Sequence, residues 1–129
     1  QFLQSGDVVM SSAYNGRIAA VAKESKLKVV WTGGVYDFDA WAIPKGSKNA
    51  EAAKKFIAYS LQPEQQKTFS ENIAYGPANT DAVKLLSAET LENMPTTEEN
   101  IKDQVQIDVK FWNDNGESLE QRFNSWAAK

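Results

Sequence analysis

The stretch Trp31-Thr-Gly-Gly-Val-Tyr-Asp-Phe-Asp-Ala-Trp-Ala-Ile-Pro44 decides how this chain is read. It opens with a Gly-Gly turn and then sets Asp37 and Asp39 among Tyr36, Phe38 and Trp41. If Tyr36 to Ile43 forms a strand, side chains alternate, and Asp37, Asp39 and Trp41 share one face. Two carboxylates and an indole on one face suit a small cationic or amine-bearing ligand. Carboxylates form charge-assisted hydrogen bonds, and aromatic faces attract alkylammonium groups. A solvated edge strand with an indole cap satisfies the same spacing, because a D-x-D pair is common.

Upstream of this stretch, Gln1 to Ser5 reads as the end of a helix stopped by Gly6, so the chain is expected to begin in mid-structure. Val8-Val9-Met10 is a short apolar run that predicts a buried strand. Ile18, Val21 and Ala22 recur at helical spacing, so a helix is expected from Asn15 or Gly16. Its first amides would suit an anion or a ligand carbonyl. Lys28 to Trp31 predicts a second strand.

Downstream, Asn49 is a candidate N-cap with Glu51 in the first turn, and Ala53, Phe56, Ile57 and Leu61 form an apolar stripe. Pro63 ends that helix and opens the next, where Phe69 and Ile73 continue a core face. Ala74 to Asn79 is a turn-rich loop carrying Tyr75. Thr80 is the expected cap of a helix through Leu86, and Ser87 of another near Leu91. Pro95 to Glu99 is an acidic connection with a fresh capping signal. Val105 to Val109 alternates and reads as either extended or helical. Trp112, Leu119, Phe123 and Trp126 line one face of a terminal helix.

Short strands alternating with helices make the chain α/β. Three strands are too few for a sheet with both faces covered, so part of a larger body is expected. The 129 residues carry a net charge of -3, which gives no basic footprint for nucleic acid. The chain opens without a basic start or a long apolar run, as a mature or truncated chain would. With no Cys and no His, a nucleophilic Cys, a Cys/His zinc site and a Ser-His-Asp triad are excluded within it. No cofactor motif emerges.

Met10-Ser-Ser-Ala-Tyr-Asn-Gly-Arg17 and Gly33 to Pro44 resemble the bacterial extracellular solute-binding proteins of the spermidine/putrescine-binding type. These are the ligand receptors of ABC importers. The resemblance continues through Asn49 to Ile57, Gln62-Pro63-Glu64, Ile73 to Pro77, Phe111-Trp112 and Arg122 to Trp126. No single motif is specific, but their order and spacing are. The resemblance implies the C-terminal part of a two-lobed type II periplasmic-binding fold. Residues 1–37 would belong to the second lobe, 38–83 would cross to the first, and 84–129 would return to the second. Ligand would bind between the lobes and close them. The implied partners are a small amine-bearing solute, an ABC permease, and either the missing N-terminal portion or a swapped copy. The implied location is periplasmic, or extracellular and membrane-associated through the transporter.

By the same resemblance, Tyr14 stands where polyamine binders carry a cleft tryptophan, Asp39 matches an aspartate that pairs with a ligand amine, and Tyr75 matches a cleft tyrosine. Asp37 departs from the pattern, replacing a second cleft tryptophan. Arg17 departs too, standing where another polyamine binder carries an acid. Facing the ligand, Arg17 would repel a diamine and welcome a carboxylate or phosphate. Paired with Asp37 or with the missing lobe, it would leave the site cation-selective. Trp41, Trp112, Phe123 and Trp126 are expected to serve packing. A non-catalytic polyamine or amine receptor leads. A zwitterionic or anionic solute is the alternative, and an enzyme using Asp37 and Asp39 as acid and base is a more distant one.

Overall fold

The computed structural model describes residues 1–22 and 24–129. Helix α1 (Phe2–Ser5) ends at Gly6 in the left-handed conformation, as its sequence predicts. Helix α2 (Asn15–Ala22) starts where the apolar spacing begins. Helices α3 (Ala50–Ser60) and α4 (Pro63–Ile73) follow, with Pro63 in the first turn of α4, where its missing N–H costs nothing. Three short helices come next: α5 (Thr80–Val83), α6 (Ala88–Glu92) and α7 (Glu98–Ile101). The terminal helix α8 spans Val109–Ala127.

The strand expectations need correction. The sheet has two strands, β1 (Val35–Tyr36) and β2 (Val105–Gln106), paired in parallel with Val35 opposite Val105 and Tyr36 opposite Gln106. Val8–Met10 and Lys28–Trp31 join no ladder among the described residues, and Val9 is 99% and Met10 86% exposed. A strand is completed by a neighbour that accepts and donates its backbone hydrogen bonds. No such neighbour lies beside these two runs among the described residues. The same applies to Phe38–Ile43, which runs on from β1 without pairing. The ambiguous segment resolves as both readings in turn: Val105–Gln106 is strand, and Asp108 caps α8 by accepting from the Phe111 N–H at 2.9 Å.

The Gly-Gly turn sets this sheet. Gly33 adopts φ +76°, a conformation that side-chain-bearing residues rarely take, and its N–H donates to Asp103 O at 3.0 Å. Gly34 O then accepts from the Val105 N–H at 2.9 Å, starting the ladder.

The core is small. Ala82, Leu86 and Met94 are its buried apolar residues, with the Ser70 side chain beside them in burial. Asn79, one residue before the expected Thr80, caps α5 by accepting from the Asp81 N–H at 2.9 Å. It also donates to Leu61 O at 3.0 Å, and its own N–H donates to Gln66 at 2.8 Å, so it ties α5 to both α3 and α4. Trp41 meets Phe56 of α3 edge-on at 5.3 Å, which docks the segment after β1 onto that helix. Trp112, Phe123 and Trp126, expected to pack, lie on the exposed side of α8. No described helix is long and apolar enough to cross a membrane.

Candidate functional site

The Tyr14–Arg17 segment builds the site from the start of α2. The Tyr14 carbonyl accepts from the Arg17 N–H at 3.0 Å and closes the first turn. That turn folds Arg17 back, so its guanidinium carbon lies 5.8 Å from the centroid of the Tyr14 ring, within cation–π range. Both side chains are exposed, Tyr14 at 71%, and Arg17 is in no ion pair among the described residues.

Tyr75 arrives from the other side. Helix α4 ends at Ala74, whose left-handed backbone (φ 59°) turns the chain, and the Ala74 N–H donates to Ser70 O at 2.8 Å. The buried Ser70 hydroxyl donates to Tyr75 O at 2.7 Å and fixes the next residue too. The Asn15 side-chain amide donates to Ala74 O at 2.6 Å. Gly16 packs so closely that an added Cβ would stand 2.5 Å from Ile73 O and 2.8 Å from Tyr75 Cε1. Three of the five predicted site residues, Tyr14, Arg17 and Tyr75, are therefore brought to one place.

Asp37 and Asp39 lie elsewhere on the chain, just past β1. Tyr36 and Phe38 meet edge-on at 5.9 Å. The Asp37 carboxylate accepts from the Phe38 N–H at 2.8 Å, a local backbone cap. Asp39 is exposed and makes no side-chain hydrogen bond among the described residues. Neither aspartate bonds to Tyr14, Arg17 or Tyr75 in this structure.

The sequence places Asn15 and Gly16 at a helix start whose amides suit an anion or carbonyl, and gives no sign of the Asn15 side-chain bond to Ala74 O or of the role of Ser70 beyond its place one residue after Phe69 on a helix that carries a core face. A depression of about 820 Å³ runs along α8 beside Leu119, Arg122, Phe123 and Trp126 and contains none of the predicted residues. It is the open flank of one helix, not an enclosed site. No group of three or more potential metal ligands occurs among the described residues.

The chain is 52% identical over 130 residues to the gamma-aminobutyric acid-binding protein of Pseudomonas aeruginosa, covering 100% of this chain and 37% of that protein. It is 41% identical over 88 residues to the spermidine/putrescine-binding periplasmic protein of Salmonella typhimurium, covering 65% of this chain and 25% of that protein. Among solved structures, a GABA receptor superposes with a TM-score of 0.79 at 26% identity, covering 100% of this chain and 40% of that one. The periplasmic-binding protein AgtB of A. tumefaciens R10, in complex with agropinic acid, gives 0.79 at 31% identity, covering 99% and 41%. The chain thus spans about two fifths or less of the length of these proteins, and its architecture is part of their two-lobed α/β fold. The family model for bacterial extracellular solute-binding proteins matches residues 1–118, and the chain belongs to that family.

Proposed function

We propose that this chain is part of the solute receptor of an ABC importer, and that its solute carries both an amine and a carboxylate, as an ω-amino acid does. The observation that carries this reading is the Arg17 guanidinium held over Tyr14 and next to the Tyr75 segment. A guanidinium with no acidic partner among the described residues offers a fork to a carboxylate and repels a diamine. Asp39, exposed and unbonded among the described residues, is the proposed partner of the amine once the lobes close. Similarity to a GABA-binding relative over the whole chain supports the same chemistry.

In this reading residues 1–37 and 84–129 belong to one lobe and 38–83 to the other. The solute draws them together because it binds the closed form more tightly. Capture occurs outside the cytoplasmic membrane, and the closed receptor is presented to a permease. No step of catalysis is involved, in keeping with relatives that are binding proteins.

A polyamine is the second reading, favoured by the neighbouring carboxylates of Asp37 and Asp39 and by similarity to a spermidine/putrescine binder. Calorimetric titration of the protein carrying both lobes with GABA, putrescine and spermidine separates the two. GABA is expected to bind at least about ten-fold more tightly than putrescine, a difference of about 1.4 kcal/mol. Putrescine or spermidine binding more tightly than GABA would sink the amino-acid reading.

A further inference from the structure

Asn15 and Gly16 come from segment 1–37, and Ile73 to Tyr75 from segment 38–83. We propose that Asn15 and Gly16 form a clasp across the cleft, one that sets how closely the lobes approach and so positions Tyr14 and Arg17 against Tyr75. The inference rests on the two-lobe reading given above.

Three features carry it. The Asn15 amide reaches Ala74 O at 2.6 Å, a partly buried hydrogen bond between residues 59 positions apart. The acceptor is held in place: Ala74 is the one non-glycine residue at positive φ among the described residues, and its neighbour Tyr75 is anchored by the buried Ser70 hydroxyl. Beside this bond the two segments approach to backbone contact. A methyl group at Gly16 would overlap the Ile73 carbonyl oxygen at 2.5 Å, and backbone cannot swing aside as a side-chain tip can. Glycine at position 16 therefore permits closure, and asparagine at position 15 rewards it.

Such a clasp acts without ligand. It raises the fraction of receptor already closed, and apparent affinity scales with that fraction. It also explains why the segment is Asn-Gly at the start of a helix, where alanine would be the better helix former. Asn15 and Gly16 are positioning residues in this scheme: they act on the solute through Tyr14, Arg17 and Tyr75.

The test uses the protein carrying both lobes. These 129 residues have no cysteine, so once any cysteine elsewhere in that protein is replaced by serine, Lys26→Cys and Lys55→Cys, both at exposed positions, supply a donor and an acceptor fluorophore, one on each proposed lobe. Single-molecule energy transfer is then recorded without ligand for the parent, for Gly16→Ala and for Asn15→Ala. The parent is expected to show a closed sub-population that both variants lose. Apparent affinity for GABA is expected to weaken by roughly ten-fold or more in Gly16→Ala, following the lost closed fraction. Thermal melting monitors α2, which alanine favours, so damage to that helix is not the cause of an opened cleft. Equal closed populations in the parent and both variants overturn the clasp. If Gly16→Ala does not fold, Asn15→Ala, which removes only the hydrogen bond, decides the matter alone. If GABA and the polyamines all fail to bind the parent while Gly16→Ala still opens the cleft, the clasp stands and the functional reading falls.

Discussion

Arg17 lies over an aromatic ring and has no described acidic partner, and in the proposed function its charge meets the solute's carboxylate. Replacing it with methionine keeps much of the stem and removes the fork. Arg17→Met is expected to weaken GABA binding by about ten- to a hundred-fold, the worth of one or two charge-assisted hydrogen bonds. Putrescine binding is expected to hold or improve, and calorimetry on both solutes reads the difference. A second residue-level prediction concerns Glu99. Its hydrogen bond to Lys102, 2.8 Å long, and then the Lys102 charge, hold its carboxyl below the usual carboxylate range. With the folded-state value lowered, any contribution to stability is present above the ordinary carboxylate range and lost as pH falls through the lowered value. Both groups are exposed, so the effect is screened and small. A carbon-detected NMR titration should show Glu99 deprotonating at lower pH than a free glutamate, and Lys102→Met should return it to the ordinary value. Tyr14, Arg17 and Tyr75 could be nominated from the sequence because each falls within a short motif of the family resemblance, and the structure brings these three together. The Asn15–Ala74 bond was not legible there, since it depends on a left-handed turn at an alanine, which no residue type advertises.

Helices were the legible elements. Their signals are local: a capping residue, an apolar stripe, a proline at the first turn. Ser87 accepts a backbone N–H as expected, and Thr97 does so within the capping signal of Pro95 to Glu99. Asn79 caps α5 in place of Thr80, and that helix ends at Val83 rather than Leu86. Asp108 caps α8 without having been singled out for it in the sequence. Asn49 precedes α3 but makes no side-chain cap. Asp108→Ala removes the cap of α8 and is expected to cost about 1 kcal/mol. Asn79→Ala breaks a cap and the link to Leu61 O together, so a larger loss of about 2 kcal/mol is expected. Urea denaturation of the protein carrying both lobes measures both, and a smaller loss for Asn79→Ala than for Asp108→Ala would contradict the role given to that link. Strands were less legible for the opposite reason. Val8–Met10 and Lys28–Trp31 have the composition of strands, but pairing is a property of the neighbour, and the described neighbours supply none.

Across the whole molecule, buried apolar side chains are outnumbered by exposed ones. Ala82, Leu86 and Met94 are buried, whereas Val9, Met10, Phe38, Phe69, Val105, Phe123 and Trp126 are each more than half exposed. Such a surface is characteristic of a face that meets another body. Expressed by itself, this chain is expected to bind ANS strongly and to self-associate in sedimentation experiments, and both signs should vanish in the protein carrying both lobes. A monomer that ignores the dye would contradict this. The two-residue ladder between β1 and β2 has a further consequence, in time. It joins Tyr36 to Gln106, 70 positions apart, whereas α3, α4 and α5 meet within a short span of chain. Closing the longer loop costs more chain entropy and returns only two residue pairs, so the helical block is set to assemble first. Pulse-labelled hydrogen exchange during refolding should find the amides of Ala53 to Ala74 protected before those of Val105 and Ile107. The segment proposed to cross between lobes would then be in place before the proposed lobe on either side of it is sealed.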